Sequence, residues 1–454
     1  MNDETRKLIE ADKKYLWHPF TQMSGWVESD PVVVDSGDGF YLIDTKGKRY
    51  IDGVSSLWCN IHGHRVAAID DAIRDQLDRI GHSTLLGLGQ TRSIELAERL
   101  VEIVPPGLEK VFYSDSGATS VEIAIKMAYQ YCQNSGQKER KKFIALSDSY
   151  HGDTIGSVSV GGMEIFHGIF GSLLFETYYV DSPFPYRFDG DEDACLARSL
   201  SQIDALLKER GGEIAAIVVE PLVQGAAGII VHPKGFLKGV RELADKYDVL
   251  LIVDEVATGF GRTGKMLACE HEQVSPDLMC LAKGITGGYL PLAATLATQE
   301  IFDAFLGGIA EHKTFYHGHT YTGNALGCAA AIASLDLFEG NKIIASLDEK
   351  SELISKHFAK IKELPFIGDV RQCGLMCGIE IVRDKAGKES FPHEATVGAK
   401  ICTAMRGKGA MMRPLSDVIV VMPPVAMGIE LLDELLGIVS ETLKNDLPKI
   451  VKGL

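Results

Sequence analysis

Short apolar strands that alternate with amphipathic helices constrain the fold of this chain most strongly. The runs KKFIALS, IAAIVVEP and VLLIVDE show no alternation of polar and apolar residues. The segments between them repeat their apolar residues at a spacing near 3.6, which is typical of helices. Unalternating apolar strands are typical of parallel sheets buried on both faces. We therefore expect an α/β fold in which helices cover a mostly parallel sheet.

The pattern changes twice along the 454 residues, which are enough for more than one hydrophobic core. Residues 1–70 combine a short polar helix with a predicted hairpin around Lys46-Gly47-Lys48. Residues 71–329 carry the strand–helix alternation, and residues 330–454 are dominated by long helices. These three segments are the expected domain units.

Composition excludes several classes of function. The net charge is −16 and no basic run occurs, so nucleic-acid binding has little electrostatic basis. No apolar run reaches the ~18 residues needed to cross a membrane, and the charged N-terminus lacks the apolar core of a secretory signal. The nine cysteines are scattered without metal-ligand spacing. We expect a cytoplasmic protein with reduced thiols and no metal site.

An acid and a lysine suggest the chemistry. Asp254 ends the apolar run LLIVD, and Lys283 follows DLMCLA just before a glycine-rich turn. An acid after a strand is more often a turn residue, and a lysine is usually solvated. The apolar surroundings of Lys283 should nevertheless lower the pKa of its amine. Pyridoxal phosphate needs a lysine that holds it as a Schiff base and a carboxylate beside its ring nitrogen, so the pair is a candidate site for that cofactor.

Other motifs leave two interpretations open. Ser116 and Gly117 stand between a strand and a helix, where they either cap the helix or bind a phosphate. Tyr150 follows KKFIALS and is either a packed loop residue or a ring that stacks on a flat cofactor. Glu220 ends another strand. It is either a carboxylate near a cofactor or a residue that caps the strand end. Arg262, in GFGRTG, is a candidate for gripping a substrate carboxylate.

A family resemblance joins these motifs. The segment from Leu250 to Lys283, together with YSDSGATSVEIAIKMA and SYHGDT, resembles the class III aminotransferases, pyridoxal phosphate enzymes of fold type I. LWHPFTQM, DGVSSLWCNIHGH, and the late MMRP and MPP resemble the branch that makes 7,8-diaminononanoate (diaminopelargonic acid) from 8-amino-7-oxononanoate in biotin biosynthesis. The resemblance covers nearly the whole chain. It implies that residues 71–329 form the large cofactor-binding domain, and that residues 1–70 and 330–454 together form a small α+β domain.

The resemblance also implies roles for individual residues. Lys283, Asp254 and Tyr150 are the expected catalytic residues, and the cofactor-binding set is Ser116, Gly117, Tyr150, Asp254, Lys283, His319 and Thr320. Thr320 reaches the cofactor phosphate of the other subunit in the family, which implies a homodimer with a shared active site. Arg413 matches the clamp on the keto substrate's carboxylate. The expected substrate-binding set is Phe20, Leu57, Trp58, Tyr150, Arg262, Gly318 and Arg413.

The donor side departs from the branch pattern. Better-known members have tyrosine where Phe20 stands, two tryptophans where Leu57-Trp58 stands, and tyrosine near Val420. Those aromatic residues accept S-adenosylmethionine, the branch's usual amino donor. L-Lysine is therefore an alternative donor here. Further alternatives are another ω-aminotransferase, an aminomutase and a non-catalytic ligand-binding relative.

Overall fold

A seven-stranded sheet forms the centre of the molecule. The computed structural model describes residues 3–454. The strands of this sheet, in spatial order, are β4 (Leu108–Ser114), β12 (Ala293–Thr298), β11 (Leu278–Leu281), β10 (Leu250–Asp254), β7 (Ile214–Val219), β5 (Lys142–Leu146) and β6 (Thr177–Val180). β12 is antiparallel to both of its neighbours, and every other neighbouring pair is parallel. The predicted α/β class with a mostly parallel sheet is confirmed.

The predicted strands are buried on both faces because helices cover the sheet. All six residues of β7 are buried, which explains why its sequence shows no alternation. The helices of the first three-quarters of the chain are α1 (Asp3–Tyr15), α2 (Met23–Glu28), the turn α3 (Ser55–Trp58), α4 (Ala67–Leu77), α5 (Thr91–Ile103), α6 (Gly117–Asn134), α7 (Ile155–Ser159), α8 (Glu164–His167), α9 (Glu192–Arg210), α10 (Phe236–Tyr247), α11 (Gln299–Asp303) and α12 (Ala325–Gly340). The remaining helices are α13 (Leu347–Ile361), α14 (Val397–Gly407), α15 (Ile429–Asn445) and α16 (Leu447–Lys452).

Two four-stranded sheets and one two-stranded ribbon complete the fold. The first sheet has the order β1 (Val34–Asp38), β2 (Tyr41–Asp44), β3 (Arg49–Asp52) and β15 (Ala410–Met411). The second has the order β13 (Ile367–Cys373), β14 (Met376–Ile381), β17 (Val418–Val421) and β16 (Arg413–Leu415), and β8 (Val223–Gln224) pairs with β9 (Ile230–Val231). The predicted hairpin is the antiparallel pair of β2 and β3.

The N-terminal sheet includes a strand from the far end of the chain. β15 pairs in parallel with β3, so residues near 50 and near 410 share one sheet. The expected boundaries at 70/71 and 329/330 fall inside α4 and α12, and the division into domains stays a prediction. No helix within residues 3–454 is long and apolar enough to cross a membrane.

Candidate active site

A cavity of about 430 Å³ opens at the carboxyl ends of the central strands. Asp254 ends β10, Glu220 follows β7, and Lys283 follows β11 after one intervening residue. Because these strands are parallel, their ends meet at one edge of the sheet, where ligands of α/β proteins bind. The lining residues are Trp58, Ser116, Gly117, Ala118, Tyr150, His151, Gly152, Asp153, Thr154, Glu220, Ala226, Asp254, Val256, Ala257 and Lys283.

Two hydrogen bonds fix the orientation of the Asp254 carboxylate. Its Oδ2 lies 2.8 Å from Nδ1 of His151, and its Oδ1 accepts the N–H of Val256 at 3.0 Å. Burial opposes protonation of His151, but the hydrogen bond and charge of Asp254 outweigh it and raise the pKa of the imidazole. A carboxylate has four acceptor positions, so Asp254 keeps room for a further donor from the cavity.

Glu220 is a second buried carboxyl beside the first. It accepts the backbone N–H of Tyr150 at 3.1 Å and that of Gly225 at 2.9 Å. Burial raises the pKa of Glu220 to about 7, and the charge of Asp254 acts in the same direction. Of the two interpretations that the sequence left open, the carboxylate near a cofactor site is favoured, because Glu220 lines the cavity.

The amine of Lys283 is free and is held against an aromatic face. Among residues 3–454 it makes no ion pair and no hydrogen bond, and its Nζ lies 5.0 Å from the ring centre of Trp58. Burial lowers the pKa of Lys283 below its usual range, although the charges of Asp254 and Glu220 oppose this. The backbone φ of Lys283 is 45°, a sparsely populated conformation for a residue with a side chain. The amine is thus held in the cavity, and a larger fraction of it is neutral than in a solvated lysine.

The N-terminus of α6 provides free backbone donors on the cavity wall. Ser116 caps the helix in a reciprocal capping box with Thr119. The N–H groups of Gly117 and Ala118 donate to no group within residues 3–454. A Cβ at Gly117 would lie 2.5 Å from a methyl of Val256, so a larger residue would displace the helix start. The N-terminus of α6 can therefore be capped and bind an anion at the same time, because the capping side chain leaves two backbone amides unbonded.

Tyr150 lines the cavity, and three further rings pack in a row behind it. The Tyr150 hydroxyl donates to Asp153 at 2.7 Å, which fixes the ring. The ring of Phe166 lies edge-on to Tyr150 at 6.2 Å and edge-on to Phe20 at 5.2 Å, and His167 stacks on Tyr150 at 6.2 Å. The row runs from the cavity lining to Phe20, whose side chain is 56% exposed.

The opposite wall rests on an unusual backbone turn. The four residues of α3, Ser55–Trp58, all have positive φ, between 48° and 78°. Such a conformation costs about 1–2 kcal/mol for each residue with a side chain, so other contacts must hold it. Asp52 accepts the N–H and the hydroxyl of Ser56, and the Ser55 hydroxyl donates to the carbonyl of Met422. The turn buries Trp58 against the cavity and leaves Leu57 half-exposed.

Arg262 does not line the cavity, contrary to the expectation that it contacts substrate. It is 1% exposed, and its guanidinium donates to the carbonyls of Trp58, Asn60 and Pro423. The glycine-rich GFGRTG loop lets the chain turn inward, so that the side chain points into the protein. Arg262 therefore supports the turn that carries Trp58.

Arg413 has the setting of an anion-binding group. It begins β16, is half-buried, and makes no ion pair or side-chain hydrogen bond within residues 3–454. Burial lowers the pKa of Arg413, and the nearby Tyr150 acts in the opposite direction. A partly desolvated cation without a partner favours a carboxylate ligand.

Val420 belongs to the core, contrary to its expected place in the donor pocket. It is 1% exposed and packs in the apolar cluster of Trp58 and Met422. Leu415, two residues after Arg413 on the same strand, is one of five partly buried residues that pack against this cluster.

The loop with Gly318, His319 and Thr320 does not line this cavity. His319 lies 3.2 Å from His317 and 3.7 Å from the Asp115 carboxylate, whereas Thr320 is exposed. The expected contact of Thr320 with another subunit stays a prediction.

The residues around the cavity fit pyridoxal phosphate. Two unbonded amides at a helix N-terminus suit a phosphate, an oriented carboxylate suits a ring nitrogen, and an unpaired lysine suits a covalent link. In addition, Nε2 of His151 is buried without a partner beside Asp254, so this side of the cavity can make a further polar contact. Sequence reasoning missed His151, although it stands next to Tyr150 in SYHGDT, and it missed Phe166, which has no motif around it.

Comparisons with known proteins identify the family of this chain. The model of the class III aminotransferase family matches residues 23–443. A protein of Geobacter sulfurreducens named adenosylmethionine-8-amino-7-oxononanoate aminotransferase is 52% identical over 433 residues, which cover 95% of this chain and 96% of that protein.

Solved structures show the same architecture. The crystal structure of adenosylmethionine-8-amino-7-oxononanoate aminotransferase from Methanocaldococcus jannaschii is 46% identical and superposes with a TM-score of 0.92, covering 97% of this chain and 99% of the other. A thermostable (S)-enantioselective omega-transaminase from Thermomicrobium roseum has the same TM-score at 34% identity, covering 97% and 98%. The fold type I architecture of pyridoxal phosphate transaminases is thereby confirmed.

Proposed function

This chain belongs to the class III aminotransferases, which use pyridoxal 5′-phosphate, and we propose that it transfers an amino group to 8-amino-7-oxononanoate and so forms 7,8-diaminononanoate for biotin biosynthesis. The observation that carries the proposal is Arg413, which makes no ion pair within residues 3–454 and lies opposite Val420 in the sheet; Val420 packs in the apolar cluster of Trp58, which lines the cavity with Lys283 and Asp254. The relatives' shared name supports the substrate.

Lys283 is the proposed covalent anchor and proton carrier. Bound pyridoxal 5′-phosphate supplies a carbonyl group for the amine and a ring that withdraws electrons. The lowered pKa of Lys283 keeps a larger share of its Nζ neutral, so Nζ can accept a proton from one reacting carbon and deliver it to another, as amino transfer requires. Trp58 covers the amine and limits the access of water to it.

The other polar groups bind and orient the cofactor and the substrate. The amides of Gly117 and Ala118, with the Ser116 cap, are the proposed phosphate site. Asp254 supplies a fixed negative charge toward the cofactor ring, and His151 holds that carboxylate in place. Arg413 is the proposed bidentate partner of the substrate carboxylate.

A homodimer with a shared site is part of the proposal. Thr320 is exposed in the single chain, and its loop neighbours Asp115 at the start of the phosphate site. Thr320, His319 and Gly318 would then complete the active site of the partner subunit. A cytoplasmic location is also proposed, and the nine free cysteines support it.

S-adenosylmethionine is the proposed amino donor, as the relatives' name indicates. The test incubates the cofactor-loaded enzyme with 8-amino-7-oxononanoate and S-adenosylmethionine and measures 7,8-diaminononanoate by mass spectrometry. A parallel reaction with pyruvate and 1-phenylethylamine measures ω-transaminase activity. We expect diaminononanoate to form at a much higher specificity constant. A higher specificity constant for the phenylethylamine reaction would contradict the proposal.

A further inference from the structure

Phe166 lies just outside the cavity lining, with its ring packed edge-on against Tyr150. Tyr150 lines the cavity, Phe166 packs edge-on against it, and Phe20 continues the row to the surface. Phe166 itself is half-buried, so part of the ring is accessible. None of the proposed catalytic or cofactor-binding roles involves this residue.

The backbone around Phe166 holds the ring in a fixed place. Its neighbour His167 is 4% exposed, stacks on Tyr150, and lies 3.3 Å by its Nδ1 from the carbonyl of Gly161. A Cβ at Gly161 would lie 2.5 Å from the His167 ring, and one at Gly162 would lie 2.5 Å from the carbonyl of Leu146. The chain therefore runs tightly against the end of β5 and presents Phe166 beside Tyr150.

The proposed substrate has an apolar middle between two polar ends. Its carboxylate and its reacting carbonyl are separated by a run of methylene groups. Arg413 lies opposite Val420 in the sheet, and Val420 packs in one apolar cluster with Trp58 of the cavity lining. Phe166 packs edge-on against Tyr150 of the same lining. A chain that runs from Arg413 toward Lys283 must pass the Tyr150 ring, and methylene groups gain free energy from leaving water for such an apolar wall.

We propose that Phe166 is a specificity-determining residue that forms the apolar wall for the methylene chain of the keto substrate and so selects its length. This inference rests on the proposed function, because it takes the substrate carboxylate to bind at Arg413. Phe166 acts through contact with substrate carbon atoms, while the chemistry remains with Lys283.

The test measures binding without turnover. Butanoate, hexanoate and octanoate are titrated calorimetrically into the cofactor-loaded wild type and variants. We expect affinity to rise about fourfold for each added methylene in the wild type, which corresponds to ~0.8 kcal/mol for each buried methylene. In Phe166→Ala the rise should fall below about twofold, and Phe166→Leu should restore most of it.

Matched variants separate the possible causes. Phe170→Ala removes a neighbouring ring that is 46% exposed, and it should keep the wild-type increment. Arg413→Gln should weaken all three acids by the same factor. In steady-state kinetics Phe166→Ala should raise KM for 8-amino-7-oxononanoate at least tenfold while kcat changes little.

Two results would overturn the inference. The first is a wild-type chain-length increment in a folded Phe166→Ala variant, or an increment in Phe166→Leu that falls as low as the one expected for Phe166→Ala. The second is a wild type whose affinity does not rise with chain length. The titrations measure binding and need no turnover. An enzyme that fails to aminate 8-amino-7-oxononanoate would therefore contradict the proposed function, and the titrations would still test the role of Phe166.

Discussion

The Oδ2 of Asp254 lies 2.8 Å from Nδ1 of His151, and both side chains are buried at the end of the central sheet. The two groups form a charge-assisted pair, in which the hydrogen bond and charge of Asp254 overcome the effect of burial and raise the pKa of the imidazole. The pair keeps the Asp254 carboxylate at a defined position on the cavity wall.

Asp254→Asn should keep the shape of this site and lose its charge. We expect the cofactor to remain bound and amino transfer to slow by about two to four orders of magnitude, since an uncompensated buried partner costs on the order of 3–5 kcal/mol. Single-turnover rates and the cofactor absorbance measure the two effects. Asp303→Asn, at an exposed aspartate, is the control, and near-normal turnover in Asp254→Asn would remove this residue from the mechanism.

Lys283→Ala should abolish covalent capture of the cofactor. Borohydride reduction followed by mass spectrometry of the peptides should find the modified lysine in wild type and none in the variant. Lys350 is a buried lysine whose amine donates to the carbonyl of Val425, so Lys350→Met is the control and should keep the modification. Capture at another lysine in Lys283→Ala would show that the assignment is wrong.

Glu220 should make the cofactor-free protein less stable as the pH rises from about 4.5 to about 7. Burial raises the pKa of this carboxyl to about 7, so the folded state holds a proton that the unfolded chain has already lost. The free energy of unfolding therefore falls across that window, by up to about 3 kcal/mol. Thermal unfolding of Glu220→Gln should show a flatter pH dependence, and identical slopes in both proteins would refute the assignment.

Mixed dimers should reveal whether two subunits share each site. A dimer of one Lys283→Ala subunit and one Thr320→Ala subunit would contain one intact shared site and regain up to half of the wild-type activity. A dimer of wild type with the Lys283→Ala/Thr320→Ala double variant would contain none. Sites formed within single subunits would give the reverse result in isolated heterodimers.

Leu57→Trp should favour S-adenosylmethionine as the donor. Leu57 is 50% exposed beside Trp58, and a tryptophan there would offer a flat face to adenine, worth ~1–3 kcal/mol in stacking. We expect the half-reaction with S-adenosylmethionine to accelerate about tenfold, with little change for L-lysine. Stopped-flow absorbance with each donor alone measures both. A wild type that reacts with lysine and not with S-adenosylmethionine would overturn the proposed donor.

The sequence predicted the cavity residues that stand at or just after the ends of strands. Asp254, Lys283, Tyr150 and Gly117 line one cavity because parallel strands bring their carboxyl ends together, and apolar strand runs are easy to identify. These positions followed from the periodicity of the chain and from the family resemblance.

The remaining positions depend on side-chain directions that no local pattern encodes. Arg262 points inward because the turn before it takes an unusual backbone path, and Val420 is buried because β17 lies behind Trp58. Phe166 reaches Tyr150 through a tightly packed loop without a recognisable motif. Tertiary packing decided each of these outcomes.

The turn at Ser55–Trp58 has a consequence for how the protein is made. The Ser55 hydroxyl donates a hydrogen bond to the carbonyl of Met422. Arg262 donates to the carbonyls of Trp58 and Pro423, which links the turn to Pro423. A growing chain that has not yet emerged from the ribosome as far as Pro423 lacks the contacts with Met422 and Pro423, and Asp52 and Arg262 must hold these four residues in their costly conformation without them. The wall over Lys283 is therefore completed only when synthesis is nearly finished, and cofactor capture becomes a late event in the life of each new molecule.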